Sequence, residues 1–381
     1  MTTFPVVGVV GGGQLARMMQ QPAIALGVQL RLLADSMRDS AAQVIHDVVV
    51  GDYRDLAVLR QFARGLDVLT FDHEHVPTDH LRALVDAGVT VRPGPDALVH
   101  AQDKGAMRDR LAALGSPIPR WRHVGSAADV SEFAQLMGGW PVVLKATRGG
   151  YDGKGVWLVN DAAHAEVVLS HDQVPGFLVE ERVTFTRELS AMVARSPSGQ
   201  AVAYPVVETV QVDGICREVY APAPGISDDH AVAAQQTALR IAGDLDVVGM
   251  LAVEMFDTVD GVLVNELAMR PHNSGHWGID GAITSQFENH LRAVLDLPLG
   301  DPTAIAPFTV MVNVLGGDLP DLYSAYLHCM ARDPDLKVHV YGKTVKPGRK
   351  VGHVNVVGSD FESLVKRARH AAAYMRGDID E

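Results

Sequence analysis

Residues 145–155 read KATRGGYDGKG and follow the apolar run Pro141-Val142-Val143-Leu144. Four glycines are interleaved with Lys145, Arg148, Tyr151, Asp152 and Lys154. A plain turn needs one or two glycines and no cations. A glycine-rich backbone lets N–H groups converge on an anion, and lysine adds a point charge for phosphate oxygens. The order of residues is not the G-x-x-x-x-G-K-[ST] of a P-loop. Such a loop between two strands can close over a ligand. A solvated hairpin tip would tolerate the same residues. The tight grouping of cation, phenol and carboxylate, with Lys145 at a strand end, favours an anion-binding lid.

A second stretch, GMLAVEMFDTVDGVLVNELAMRPHNSGHW (249–277), sets two apolar strands, Met250–Phe256 and Val262–Leu267, around a turn near Asp260-Gly261. An odd loop centred on Asp260 would place Glu254 opposite Glu266. A two-residue Asp-Gly turn would shift the register by one and put them on opposite faces. Opposed carboxylates in an apolar sheet repel each other. Mg²⁺ held by one or two carboxylates plus nucleotide phosphates relieves that repulsion, and Asn265 adds an oxygen donor. Lid and carboxylate pair together point to an ATP site that is not a P-loop. VEERV (179–183), ending a strand, can offer backbone to an adenine edge, and Glu188 can accept from ribose hydroxyls.

The rest of the chain bounds this reading. Its 381 residues exceed the ~250–300 that one core usually serves, so two or three domains are expected. With a net charge of −13 and no lysine- or arginine-rich run, nucleic-acid binding is not expected. No apolar run reaches the ~18 residues of a membrane helix, and no signal peptide is expected at the N-terminus. Cys216 and Cys329 are too few for a disulfide framework. These features describe a cytoplasmic protein whose partners are small anions.

The first hundred residues alternate strand and helix patterns, which implies a parallel, doubly wound sheet. Strands are expected at Val6–Val10, Gln29–Ala34, Val48–Val50, Val68–Phe71 and Val89–Val91. One helical stretch is expected over 97–114. Within the first unit, Gly11, Gly13 and Ala16 fit the G-x-G-x-x-A dinucleotide pattern, with Asp35 after the second strand. Taken alone, that motif leaves a nicotinamide or flavin enzyme and a plain tight turn about equally open. The basic segment KTVKPGRKVGH (343–353) flanks a Pro-Gly turn in an otherwise acidic chain, which favours a phosphate site over a solvated face.

The chain resembles the ATP-grasp superfamily and, within it, the family of N5-carboxyaminoimidazole ribonucleotide synthetases. The match is carried by GGGQLARM, TFDHEHVP (70–77), QDK (102–104), TRGGYDGKG (147–155), VEE (179–181), DGICREVYAPA (213–223), NELAMRPHNSGHW (265–277) and KPGRKVGH (346–353). The resemblance implies an α/β ATP-grasp architecture: an N-terminal Rossmann-like domain (1–100), a linker helix with a small lid domain (101–185) and a C-terminal α+β domain (186–381). It implies a carbon–nitrogen ligase in purine biosynthesis that uses ATP, bicarbonate and 5-aminoimidazole ribonucleotide, with Mg²⁺ (Mn²⁺ as a substitute), as a homodimer. Other ATP-grasp ligases, such as a formate-dependent glycinamide ribonucleotide transformylase or a biotin carboxylase, are the alternatives.

By the same resemblance, Lys145 and the backbone of Gly150, Tyr151, Asp152, Gly153, Lys154 and Gly155 meet the nucleotide phosphates. Glu180, Glu181, Arg182 and Val183 meet adenine, and Glu188 the ribose. His100, Val156, Glu208, Asn265 and Glu266 complete the nucleotide side. Glu254 and Glu266 bind the metal. Tyr151, Asp152, Lys154, His272, Asn273 and Ser274 face the aminoimidazole ribonucleotide, with Gln14 and Glu74 reaching in from the first domain. Lys343, Arg349 and Lys350 take its 5′-phosphate. Lys145, Asp152, Lys154, Arg270, His272 and Asn273 carry the chemistry. The chain departs from the family pattern at His100, where arginine is usual, at Gln211 for histidine and at Met269 for proline.

Overall fold

The computed structural model describes residues 4–150, 154–171 and 175–380. Three sheets build it. The first is parallel and four-stranded, in the order Asp47–Val50, Gln29–Ala34, Val6–Val10, Val68–Phe71. Its strands are short runs rich in Val and Leu, and the central ones are covered on both faces, as crossover helices require. The helix Gln14–Leu26 covers one face; Leu59, Phe62, Leu81 and Leu84 cover the other. The stretch Val89–Val91, expected as a fifth strand, adds only a single bridge, Leu69 to Val91.

The second sheet is a small antiparallel unit, in the order Trp121–Val124, Phe177–Glu181, Val142–Ala146, Val156–Val159. Its core is Val142, Leu144, Val159, Phe177 and Val179 against Val130, Phe133 and Ala134 of the helix Ala127–Leu136. Lys145 is the next-to-last residue of its strand, so its side chain emerges where the glycine-rich loop begins.

The third sheet has nine strands. Gly261–Ala268 is the edge, followed by Gly249–Thr258, Arg187–Arg195, Val207–Val212, Ile215–Ala221, Phe308–Leu315, Lys350–Gly358 and Lys337–Val340, with the short Ala201–Ala203 paired to Arg187–Arg195. The helix Gln286–Val294 sends Phe287, Leu291 and Val294 into the same apolar cluster as Leu15 and Met19. That contact seats the first sheet on the third.

The expected helix over 97–114 is two helices, Pro95–Gln102 and Lys104–Ala113. Asp103 is extended and its Oδ1 accepts from Ala106 N at 3.0 Å, capping the second helix. The break directs Lys104 and Arg108 toward the third sheet.

Candidate active site

The glycine turn of the first domain is filled by the protein itself. Asp72 Oδ2 accepts from Gly13 N at 3.1 Å, and Oδ1 from Ala16 N at 2.7 Å. These N–H groups at the helix N-terminus are the ones a pyrophosphate would use. A β-carbon at Gly13 would collide with Asp72 Oδ2, which accounts for the glycine. Asp39 Oδ2 accepts from Asp35 N at 3.0 Å and Ser36 N at 3.2 Å, closing the neighbouring loop. Dinucleotide binding at Gly11, Gly13 and Asp35 is therefore excluded by an internal carboxylate.

A cleft of about 1180 Å³ lies instead where the three sheets meet. Val143, Val156, Phe185, Phe256 and Leu267 give it one apolar wall, where Phe185 stacks on Phe256 at 4.8 Å between centroids. Such a slot suits a planar base. Lys145, Gly150, Glu180, Glu181, Arg182, Val183 and Glu188 line the same end.

Beside it lies a buried charge network. Glu180 accepts from Arg108 Nε at 2.6 Å and pairs with Lys145 Nζ at 2.7 Å. Burial pushes its carboxyl up, but Lys145 and Arg108 outweigh that and hold it down at about 2. Lys145 Nζ also donates to Asn265 Oδ1 at 2.9 Å. Arg108 donates onward to the carbonyls of Val264 at 3.2 Å and Asn265 at 2.9 Å.

Glu254 and Glu266 are direct partners in the hairpin. The turn is neither of the two expected. Thr258 pairs with Gly261 around a two-residue Val259-Asp260 loop, and by that register Glu254 would meet Asn265. A bulge at Asn265 shifts the pairing by one and brings Glu266 opposite Glu254. Burial, then the nearby Glu266 and Glu188, raise the Glu254 carboxyl to about 7. Lys104 pairs with Glu266, and Lys104, which sequence reasoning left without a role, lines the cleft. Its signal was the QDK run, hidden inside an apparently continuous helix.

At the far end, Glu74 Oε1 accepts from Met269 N at 2.7 Å and Oε2 from Arg270 Nε at 3.1 Å. A proline at 269 would have no N–H to give, so the departure at Met269 adds a bond to Glu74. His272 is pinned through its backbone: its N donates to Gln286 Oε1 and its O accepts from Gln286 Nε2, both at 2.8 Å. Burial, with Arg270 and Lys350 nearby, drops the imidazole to about 3, so it is neutral. Its Nε2 lies 3.6 Å from Glu254 Oε1. Asn273 Nδ2 is buried, without a partner among the described residues. Gln14, Gln211 and Lys350 also line this end.

Several expected residues sit elsewhere. His100 does not line the cleft; its helix ends before Asp103, and Lys104 occupies the position facing Glu266. Glu208 turns to Arg187, 3.3 Å away, instead of the nucleotide end. Ser274 is buried behind the wall, its hydroxyl 2.8 Å from Ser190 Oγ and 2.9 Å from His272 Nδ1, where it orients the imidazole. Lys343 reaches Gln14, and Arg349 is exposed outside the cleft, its Nη1 on Thr344 O at 3.3 Å, leaving Lys350 as the lining cation of that segment. Lys154 is exposed and Gly155 lies at the base of the loop, its carbonyl accepting from Ala146 N at 2.8 Å. Tyr151, Asp152 and Gly153 lie outside the described residues.

Three regions match families in succession: the ribonucleotide synthetase preATP-grasp domain over residues 2–102, the ATP-grasp domain over 109–287 and the phosphoribosylaminoimidazole carboxylase C-terminal domain over 309–367. The N5-carboxyaminoimidazole ribonucleotide synthase of Mycobacterium leprae is 58% identical over 391 residues, covering 97% of this chain and 89% of that protein. Its Mycobacterium tuberculosis counterpart is 57% identical over 377 residues, covering 97% and 88%. Among solved structures, the Aspergillus clavatus synthase in complex with ADP and 5-aminoimidazole ribonucleotide superposes with a TM-score of 0.89 at 32% identity, over 100% of both chains. The Thermus thermophilus enzyme gives 0.87 at 36% identity, over 98% of this chain and 99% of its own. With such identity along nearly its whole length, and an ATP-grasp fold to match, the chain belongs to the N5-carboxyaminoimidazole ribonucleotide synthase family.

Proposed function

We infer that the chain carboxylates 5-aminoimidazole ribonucleotide with bicarbonate at the expense of ATP, releasing N5-carboxyaminoimidazole ribonucleotide, ADP and phosphate in purine biosynthesis. The observation that carries this is one cleft holding, in sequence, an apolar base slot, Lys145, the Glu254/Glu266 pair, the Arg270-His272-Asn273 group and Lys350.

Bicarbonate is a poor electrophile because resonance and charge shield its carbon. Its oxygen attacks the γ-phosphorus of ATP, ADP leaves, and carboxyphosphate results. That species collapses to CO₂ and phosphate beside the amine of the ribonucleotide, whose nitrogen forms the new C–N bond. Phosphoryl transfer asks mainly for positioning and charge neutralisation. Lys145 supplies a cation to the phosphates. Arg270, steered by Glu74, and the Asn273 amide hold the bicarbonate; of the two candidate acceptors of the amine proton, Asp152 and His272, the imidazole held down at about 3 is a weak base. Lys350 meets the 5′-phosphate. The loop after Lys145 closes over the cleft to keep water from carboxyphosphate.

The donor set fits Mg²⁺. Glu254 and Glu266 present hard oxygens face to face, and burial together with the neighbouring Glu266 raises Glu254, a cost that a divalent cation would offset. Mg²⁺ or Mn²⁺ bound there supplies charge neutralisation to the triphosphate. A cytoplasmic homodimer belongs to the same proposal and is checked by light scattering.

Coupled ADP release, with each substrate withheld in turn, tests the function. Turnover is expected only with ATP, bicarbonate and 5-aminoimidazole ribonucleotide together. Release supported instead by formate with glycinamide ribonucleotide, or by free biotin, would overturn it.

A further inference from the structure

Arg108 belongs to no binding role assigned above, yet its side chain is fully buried and its guanidinium reaches two elements at once. Nε is 2.6 Å from Glu180 Oε1 on the lid sheet; Nη1 and Nη2 are 3.2 and 2.9 Å from the carbonyls of Val264 and Asn265 on the hairpin. In a regular strand, successive carbonyls point to opposite edges. One guanidinium can hold two in a row only where the strand is bulged, and Asn265 is the bulged residue. The strand is also the free edge of the nine-stranded sheet, so these carbonyls have no neighbouring strand to satisfy them. Val264 N on the same edge donates to Pro117 O at 2.7 Å, which leaves Arg108 to stabilise the bulge itself.

We propose that Arg108 is the positioning residue that fixes the bulge at Asn265, and through it the face-to-face placement of Glu254 and Glu266, while tying that pair to Glu180. Without the bulge, the hairpin register puts Asn265 opposite Glu254 and displaces Glu266. Arg108 therefore acts on the metal site without touching the metal, and couples the spacing of the carboxylate pair to the lid sheet. Lysine cannot replace it, because one ammonium lacks the planar fork that spans a carboxylate and two carbonyls. This rests on the proposed Mg²⁺–ATP site.

The test is Arg108→Lys, which keeps a cation beside Glu180, measured alongside Arg108→Gln, which leaves Glu180 paired with Lys145. With saturating bicarbonate and 5-aminoimidazole ribonucleotide, the Mg²⁺ concentration for half-maximal velocity is expected to rise roughly 10–100-fold in both, as for other outer partners of metal ligands. The KM for the ribonucleotide is expected to stay within about twofold. A lowered melting temperature with an unchanged Mg²⁺ requirement would make Arg108 a stabilising residue only and overturn the proposal. Wild-type protein lacking bicarbonate-dependent turnover would instead fail the functional reading, a separate outcome.

Discussion

Glu254 and Glu266 face each other across the hairpin because one residue between them, Asn265, is extra. The bulge exposes its carbonyl to Arg108 while its side-chain amide receives Lys145. A local irregularity of the edge strand thus gathers two carboxylates, a lysine and an arginine around one point. Two half-buried acids so placed repel each other, a cost that a divalent cation held between them would relieve.

Burial of Glu254, with Glu266 and Glu188 beside it, makes metal-free stability depend on pH. Glu254 is raised from its ordinary 4.5 to about 7, so its contribution is fully present below 4.5 and is lost as pH climbs through 7. Relative to Glu254→Gln, the wild type in EDTA should lose at most about 3 kcal/mol over that window. The true loss should be smaller, since the side chain is 25% exposed to the cleft. Urea unfolding of both proteins near pH 5 and near pH 8 measures it. A wild-type-to-variant difference that does not move with pH contradicts the assignment.

Lys104 lowers Glu254 and pairs with Glu266. Lys104→Met should reduce kcat/KM for ATP by roughly 10–100-fold, the range for partners of metal ligands. His100→Ala, outside the cleft, should leave it near normal. Steady-state kinetics with ATP varied separates the two, and equal losses would refute the placement.

Lys350 lines the cleft and Arg349 does not. Lys350→Ala should raise the KM for 5-aminoimidazole ribonucleotide by roughly 10–100-fold, the worth of a charge-assisted hydrogen bond. Arg349→Ala should change it little. An effect of Lys350→Ala confined to the ATP KM would remove the phosphate assignment.

The glycine turn is structural. Gly13→Ala should destabilise the first domain by about 1–3 kcal/mol through the clash with Asp72. Unfolding in urea reads this, and wild-type protein should show no fluorescence signature of NADH binding. A neutral effect of the alanine, or NADH binding, would show that Asp72 leaves the turn.

The strands of the first domain were legible because each is a continuous run of mostly apolar residues. Their boundaries at Val6–Val10, Gln29–Ala34 and Val68–Phe71 coincide with the expected ones. The strand Trp121–Val124 escaped notice, since its WRHV text lacks an apolar face and pairs only through Phe177–Glu181. Local periodicity could not show the break at Asp103, because helical spacing continues across it. The dinucleotide pattern misled for a comparable reason. The group filling it, Asp72, lies 59 residues from Gly13 and is invisible to any local motif. Likewise, no turn rule yields the Glu254–Glu266 register, which a buried arginine from another element holds in place.

The central claim is that Glu254 and Glu266 hold the metal of a nucleotide whose phosphates meet Lys145. A crystal grown with Mn²⁺ and a non-hydrolysable ATP analogue reads it directly through anomalous scattering. The expected peak lies between the two carboxylates, about 2.1–2.2 Å from an oxygen of each, with the triphosphate against Lys145. A peak away from this pair, or the analogue seated at the Gly11–Gly13 turn, would contradict it.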